Sequence, residues 1–313
     1  PSKISNFNTN IEYNSQIKDR SFNNVNEAIN NSRFRRNSHI TKILLANSIS
    51  FQFSSFTSQI IFDYEANDET FNSKAINQEV PTAIATSYQN IQKMNDYNSS
   101  RIRVALNNLF VLSRNDSLLT NINASLFRYN TPHKENKDEY DVSYSSIDFV
   151  YKHLFNRSFT FKLSGELKNQ HYVYINSENS AQSNKLQSIK LKPEILYNHK
   201  IIYYNPKIEI LANYHIYDFQ EQINTLNTYS FRQISYIDSA SITFTDNFSF
   251  STNILCRYSL RSNLSWASFA ENPLKGNLEQ TYRLMINNKF DIYSLGLGLG
   301  YYKVEQIDMI KHY

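Results

Sequence analysis

The chain has 313 residues, 32 basic against 28 acidic side chains, a net charge of +4, a mean hydropathy of −0.53 and a single cysteine. That length can enclose a large core or one large barrel; the charge balance gives no reason to expect nucleic acid, and Cys256 alone excludes a disulfide framework or a cysteine-rich zinc site. The longest compact apolar runs, such as 43–46, stop far short of the ~18 residues of a spanning helix, so a helical membrane protein is excluded.

The 23 Tyr and 21 Phe argue against disorder and for aromatic-rich strands. Pro1 stands where a starting Met would, with no charged, apolar and small-residue leader after it, so the chain reads as a mature product or a fragment. The dominant signal is an alternation of period two, the spacing that sends successive side chains to opposite faces of a strand. In chain order the alternating runs predict about thirteen strands, near 5–14, 41–53, 55–65, 100–113, 117–129, 140–154, 158–174, 186–199, 205–217, 229–244, 248–261, 279–290 and 292–304.

In the run from Ile189, Pro193 falls on the apolar side and must sit where a lost ladder bond is tolerated. From Lys207, Ile208, Ile210, Ala212, Tyr214 and Ile216 alternate with Glu209, Leu211, Asn213, His215 and Tyr217. From Phe248, Phe250, Thr252, Ile254, Cys256, Tyr258 and Leu260 alternate with a wet face that includes Arg257 and Arg261. Near the end, Leu295, Leu297 and Leu299 interleave with Gly296, Gly298 and Gly300.

Most of these runs exceed the usual globular strand and match the roughly 9–11 residues a tilted strand needs to cross a bilayer. The connections alternate as well. Short turns fall at 53–56, 113–117, 155–158, 200–206, 245–247 and 290–291; long connections run 15–40, 66–99, 130–139, 175–185, 218–228 and 262–278. Short turns on one rim and long loops on the other is the layout of a transmembrane barrel with periplasmic turns and extracellular loops. The fold class expected is therefore all-β, a single antiparallel transmembrane β-barrel domain over 1–313. A soluble β-sandwich or solenoid is the alternative, and it would have to cover the apolar faces with a second sheet.

In a barrel the polar parity lines the lumen. The charged and titratable lumen candidates are Arg101, Arg103, Lys162, Glu166, Lys168, Lys190, Lys192, Glu194, Lys207, Glu209, His215, Arg257, Arg261, Arg283 and Lys289. Both signs occur on adjacent strands, so they either pair across the ladder or line water.

The run LGLGLGYY (295–302), the hairpin SITFTDNFSFSTNILCRYS (241–259) and the segment KIEILANYHIYDF (207–219) make the chain similar to Gram-negative outer-membrane β-barrel proteins, especially the Asn-, Tyr- and Phe-rich barrels of the Bacteroidota and Chlorobi groups. The resemblance implies an antiparallel membrane barrel, porin-like or part of a transport or assembly system, in contact with outer-membrane lipid, lipopolysaccharide and the barrel-assembly machinery, with no cofactor and no catalytic residue. No plug domain or energy-coupling box is visible. An odd number of strands would leave the two ends of the chain on opposite sides, whereas closed bacterial barrels have even counts; the reading is of 14 or more strands when complete, with truncation at the C-terminus and perhaps the N-terminus. A non-conducting barrel that binds surface partners through its loops is the second membrane reading.

The search for chemistry gives little. His215 has polar-face parity beside a strand carrying Ser235 and Ser239, and a Ser and His pair there would suit an outer-membrane hydrolase. The loop NTPHKENKDEYD (130–141) carries carboxylates that suit calcium only loosely, and reads as a solvated charge run with no metal site. Arg33, Arg35 and Arg36 form a basic cluster suited to phosphate or lipopolysaccharide. Segment 21–30 reads as a short helix, and 66–99 is long enough to fold over the mouth. Trp266 and Phe269 are loop-packing or interface aromatics, and Tyr64, Tyr129, Tyr174, Tyr217 and Tyr258 are assigned to aromatic girdles.

Overall fold

A computed structural model describes residues 3–23, 33–75, 82–219, 228–290 and 293–308. It is one antiparallel sheet of fourteen strands: β1 (Lys3–Asn23), β2 (Arg33–Gln52), β3 (Phe56–Ala75), β4 (Tyr97–Val111), β5 (Asp116–Asn130), β6 (Tyr140–Leu154), β7 (Phe159–Tyr174), β8 (Asn184–His199), β9 (Ile202–Tyr204), β10 (Lys207–Tyr217), β11 (Tyr229–Thr243), β12 (Phe248–Ser265), β13 (Ala270–Lys289) and β14 (Ser294–Asp308). Each strand pairs with the next in sequence, the one departure being that β8 and β11 each pair with both β9 and β10. Among the described residues β1 and β14 are the two edges and are not paired with each other.

Strands β9 and β10 are two pieces of one crossing. Tyr204 opposes Tyr197 and Lys207 opposes Glu194, with the same offset, so the register with β8 runs through the break without a slip. Pro206 has no N–H to give to a ladder, and Asn205 fills the gap. Its Nδ2 donates to Glu194 Oε1 at 2.8 Å and to Ile195 O at 2.9 Å, and its backbone N–H reaches Ser239 O at 2.8 Å. Counting β9 and β10 as one, thirteen crossings stand where the alternation predicts thirteen. Pro193 lies where expected, at an interruption of the β8–β10 pairing between Lys207↔Glu194 and Ile210↔Leu191.

Several strands outrun their predicted ends, and this corrects the predicted long loops. β1 and β2 continue as a ladder to Asn23↔Arg33, β3 runs on to Ala75, and β12 and β13 meet at Ser265↔Ala270, so the expected loop 262–278 is only a tight tip. The alternation weakens along these extensions, while the backbone ladder continues regardless of side-chain polarity. Within 66–99 lies α1 (Thr82–Lys93), the single long helix among the described residues, packed against β3. Segment 21–30 begins as the end of β1, and its remainder from 24 lies outside the described residues, as do the side chains of Arg33, Arg35 and Arg36.

Buried apolar side chains are few. The small core is Tyr214, Ile216 and Leu264, and Trp266 and Phe269 at the β12–β13 tip pack on Tyr214 with ring centroids 6.2 and 5.8 Å away. The rest of the apolar face stands open. Ile49, Ile60, Leu106, Ile122, Ile147, Leu167 and Ile189 are successive cross-strand partners from β2 to β8, forming one continuous row.

Candidate functional site

The register places every lumen candidate from Arg101 to Lys289 on the face opposite that apolar row. Adjacent strands also pair their charges across it. Arg103 Nε donates to Asp63 Oδ2 at 2.7 Å and Lys190 Nζ lies 3.4 Å from Glu209 Oε2, while Lys168 Nζ lies 2.8 Å from Glu166 Oε1 two residues away on β7 itself. Arg257 Nη1 is 2.9 Å from Glu279 Oε2, with longer contacts of 3.9 Å joining Arg101 to Glu65 and Lys162 to Glu194. Lys192, Lys207, Arg283 and Lys289 share the face without an ion pair among the described residues. The partners Asp63, Glu65 and Glu279, together with Lys42 at 2.8 Å from Glu65, belong to the same face and are missing from the sequence-derived set. Alternation alone would have found them, since each occupies polar parity in its own run.

This polar face is concave between β6 and β13. A cavity of about 700 Å³ is lined from one side by Tyr144 of β6 and from the other by Lys275 and Asn277 of β13, with His215, Tyr229 and Arg261 between. Side chains from so many strands converge on one volume only if the polar face curls inward, which leaves the apolar face on the outside.

His215, the candidate base, does not meet a serine nucleophile. Its Nδ1 is hydrogen-bonded to Tyr229 Oη at 3.0 Å, and its ring stacks on Tyr217 at 4.7 Å. Tyr229 is also its register partner, so Ser235 lies six residues along β11, about 20 Å away at the usual strand rise. Ser239 donates to Asn253 Oδ1 at 3.0 Å. The geometry therefore brings neither serine to the histidine. In the loop after β5, Asn136 Nδ2 donates to Met94 O at 2.7 Å and Asn179 Nδ2 to Lys137 O at 2.8 Å, and the described residues hold no cluster of three metal-ligating side chains.

The aromatic girdle differs from the one predicted. Tyr64 and Tyr258 lie on the apolar face, but Tyr129, Tyr174 and Tyr217 lie on the polar one. There Tyr97, Tyr129, Tyr140 and Tyr174 form a ladder across four strands, with centroids 5.2, 5.1 and 5.8 Å apart. Position near a strand end does not reveal the face; only parity does. A second aromatic belt sits at the short turns, where Phe53 and Phe56, Phe155 and Phe159, Phe244 and Phe248, and Phe290 and Tyr293 pair with centroids 4.8 to 5.8 Å apart. Each pair brackets its turn, as in Phe290 N–H to Tyr293 O at 2.7 Å. At the same rim the carboxylate of Asp116, the first residue of β5, accepts from Ser113 Oγ at 2.5 Å, Tyr151 Oη at 2.6 Å and His153 Nδ1 at 2.6 Å.

No protein-family model and no curated protein sequence matches the chain. Among solved structures it is similar to the copper transporter OprC, with a TM-score of 0.55, 9% identity and 98% of this chain covered. The chain spans 54% of the length of that structure. At that identity the likeness is one of fold: a large antiparallel β-structure of the outer-membrane barrel type.

Proposed function

We propose that the chain is the wall of an outer-membrane β-barrel that acts in transport, with the concave polar face turned to an aqueous passage and the apolar face to lipid. The observation that carries this is the open apolar row: Ile60, Ile122, Ile147, Leu167 and Ile189 are 40 to 50% exposed although each is a cross-strand partner of the next or near it. A contiguous row of that length is far too costly to leave in water, since burying each such side chain is worth about 1.5–3 kcal/mol. Lipid covers it without a second sheet, and the described residues include no second sheet. The ion-paired polar face and the aromatic belt at the short turns fit the same orientation, with the short turns periplasmic and the longer hairpins outside.

In this reading the outer ladders β1–β2 and β12–β13 reach into the lipopolysaccharide layer, folding depends on the barrel-assembly machinery, and the lumen charges set which solutes pass. No step of this reading is enzymatic; passage through a charged lumen is the function. The likeness to the Bacteroidota and Chlorobi barrels and a porin-like open lumen are parts of the same proposal. The test is refolding of the full chain from denaturant with and without detergent, followed by boiled and unboiled gels and then conductance in planar bilayers. A detergent requirement, a heat-modifiable band and discrete conductance steps are expected. A folded monomer that is soluble without detergent would overturn the membrane reading, and a heat-modifiable but silent barrel would replace passage by surface binding.

A further inference from the structure

We infer that the concavity of the polar face is a binding site for a small organic anion bearing a flat ring, with its carboxylate or phosphate held by Arg261 and its ring packed among Tyr144, Tyr229 and Phe231. This goes beyond the transport reading, because a bound anion needs no conduction.

Arg261 is the guanidinium that lines the cavity, and like Lys192, Lys207, Arg283 and Lys289 elsewhere on the face it holds no carboxylate among the described residues. Arg101, Arg103, Lys162, Lys168, Lys190 and Arg257 each hold a carboxylate. Arg261 instead lies over the ring of Tyr229, 4.4 Å from its centroid, and has no carboxylate partner among the described residues. A guanidinium laid flat on a ring still presents its N–H edge, the geometry that takes a carboxylate or phosphate bidentately.

The strand opposite adds a second positive charge, because the register sets Lys275 directly across from Arg261. Like charges in that relation oppose each other, and an anion between them relieves the repulsion.

The walls supply the rest. No carboxylate lines the cavity, whereas Gln170, Gln187 and Asn277 bring amide donors to it. His215 is anchored through Nδ1 to Tyr229, and its buried Nε2 has no partner among the described residues, so one polar atom at the cavity is left for a ligand. A volume of about 700 Å³ with aromatic walls and a few convergent polar groups is that of a small-molecule site.

The experiment uses the full chain refolded in detergent, its folded state checked first by the heat-modifiable band, and calorimetric titration at low salt. The probes are benzoate and phenyl phosphate, with neutral benzamide and ring-free acetate for comparison. The expected result is one site for benzoate and phenyl phosphate, with benzamide and acetate at least about tenfold weaker. Arg261→Gln is expected to weaken benzoate binding by about tenfold or more, and Lys275→Gln, on the opposite wall, to weaken it by less. Arg114→Gln, in a short turn remote from the cavity, is expected to bind like the natural chain. Equal affinity in Arg261→Gln, equal affinity for benzamide, or no binding by a chain whose gel band shows it folded would each overturn the site. Those failures leave the barrel reading standing, since folding is read independently.

Discussion

Phe149 lays its ring across Gly165, its cross-strand partner on the apolar face, so closely that a Cβ on that glycine would lie 2.2 Å from Phe149 Cε1. The glycine is there to be covered: it leaves a gap in the apolar wall between Leu163 and Leu167, and the neighbouring ring fills it. Gly165→Ala is expected to push the ring out of place and to lower stability by about 1–3 kcal/mol. Combined with Phe149→Ala the loss should be smaller than the sum of the two single losses, because the clash has gone. Denaturant titration of the four proteins in the same detergent measures the cycle; strict additivity would refute the contact.

A charge placed on either face separates the lipid side from the water side. Leu167→Arg is expected to cost about 2–4 kcal/mol in a bilayer, the penalty for a cation on the lipid face near the midplane. Ser164→Glu puts a charge on the opposite face, facing Lys192 in the register, and is expected to leave insertion unchanged. Folding yields into phospholipid vesicles, read by protease protection, check both; equal yields for the two variants would contradict the assignment of faces.

Asn205 holds the break between β9 and β10 together while only 4% exposed. Asn205→Ala removes its hydrogen bonds to Glu194 and Ile195 and leaves a half-buried carboxylate short of a donor, with an expected loss of about 1–3 kcal/mol. Asn205→Asp is expected to be worse than alanine, because it can donate to neither acceptor and sets a second negative charge beside Glu194. Thermal unfolding of the three proteins, followed by the gel shift, gives the order.

Arg257 and Glu279 face each other across β12 and β13 on the polar face. If that face lines the passage, Arg257→Gln shifts the reversal potential in a salt gradient towards cation selectivity and Glu279→Gln shifts it towards anion selectivity. Both shifts should shrink in 1 M salt, where the screening length falls to about 3 Å. Unchanged selectivity in both variants at low salt would place the pair off the conduction path.

Much of the architecture is legible in the chain itself, because a strand buried on one face writes its parity into every second residue. The alternation in 207–217 and 248–261 assigns His215, Arg257 and Arg261 to one face, and the register keeps them there. The aromatic belt is also legible in FSSF, FNRSF, FTDNF and FDIY, each bracketing a short turn, although it is easily passed over in favour of tyrosines at the other strand ends.

What the sequence by itself determined is the number of strands, the alternation of their faces and the place of each short turn, since all three follow from local periodicity and turn length. Tertiary structure alone decided which charge meets which, that Ser235 stands some twenty ångströms (about six residues of strand rise) from His215, and that Arg261 lies over Tyr229 with Lys275 across from it. Those relations depend on register and on the curvature of the sheet. A one-residue slip would change every cross-strand partner, and no stretch of a single strand records the register of its neighbour.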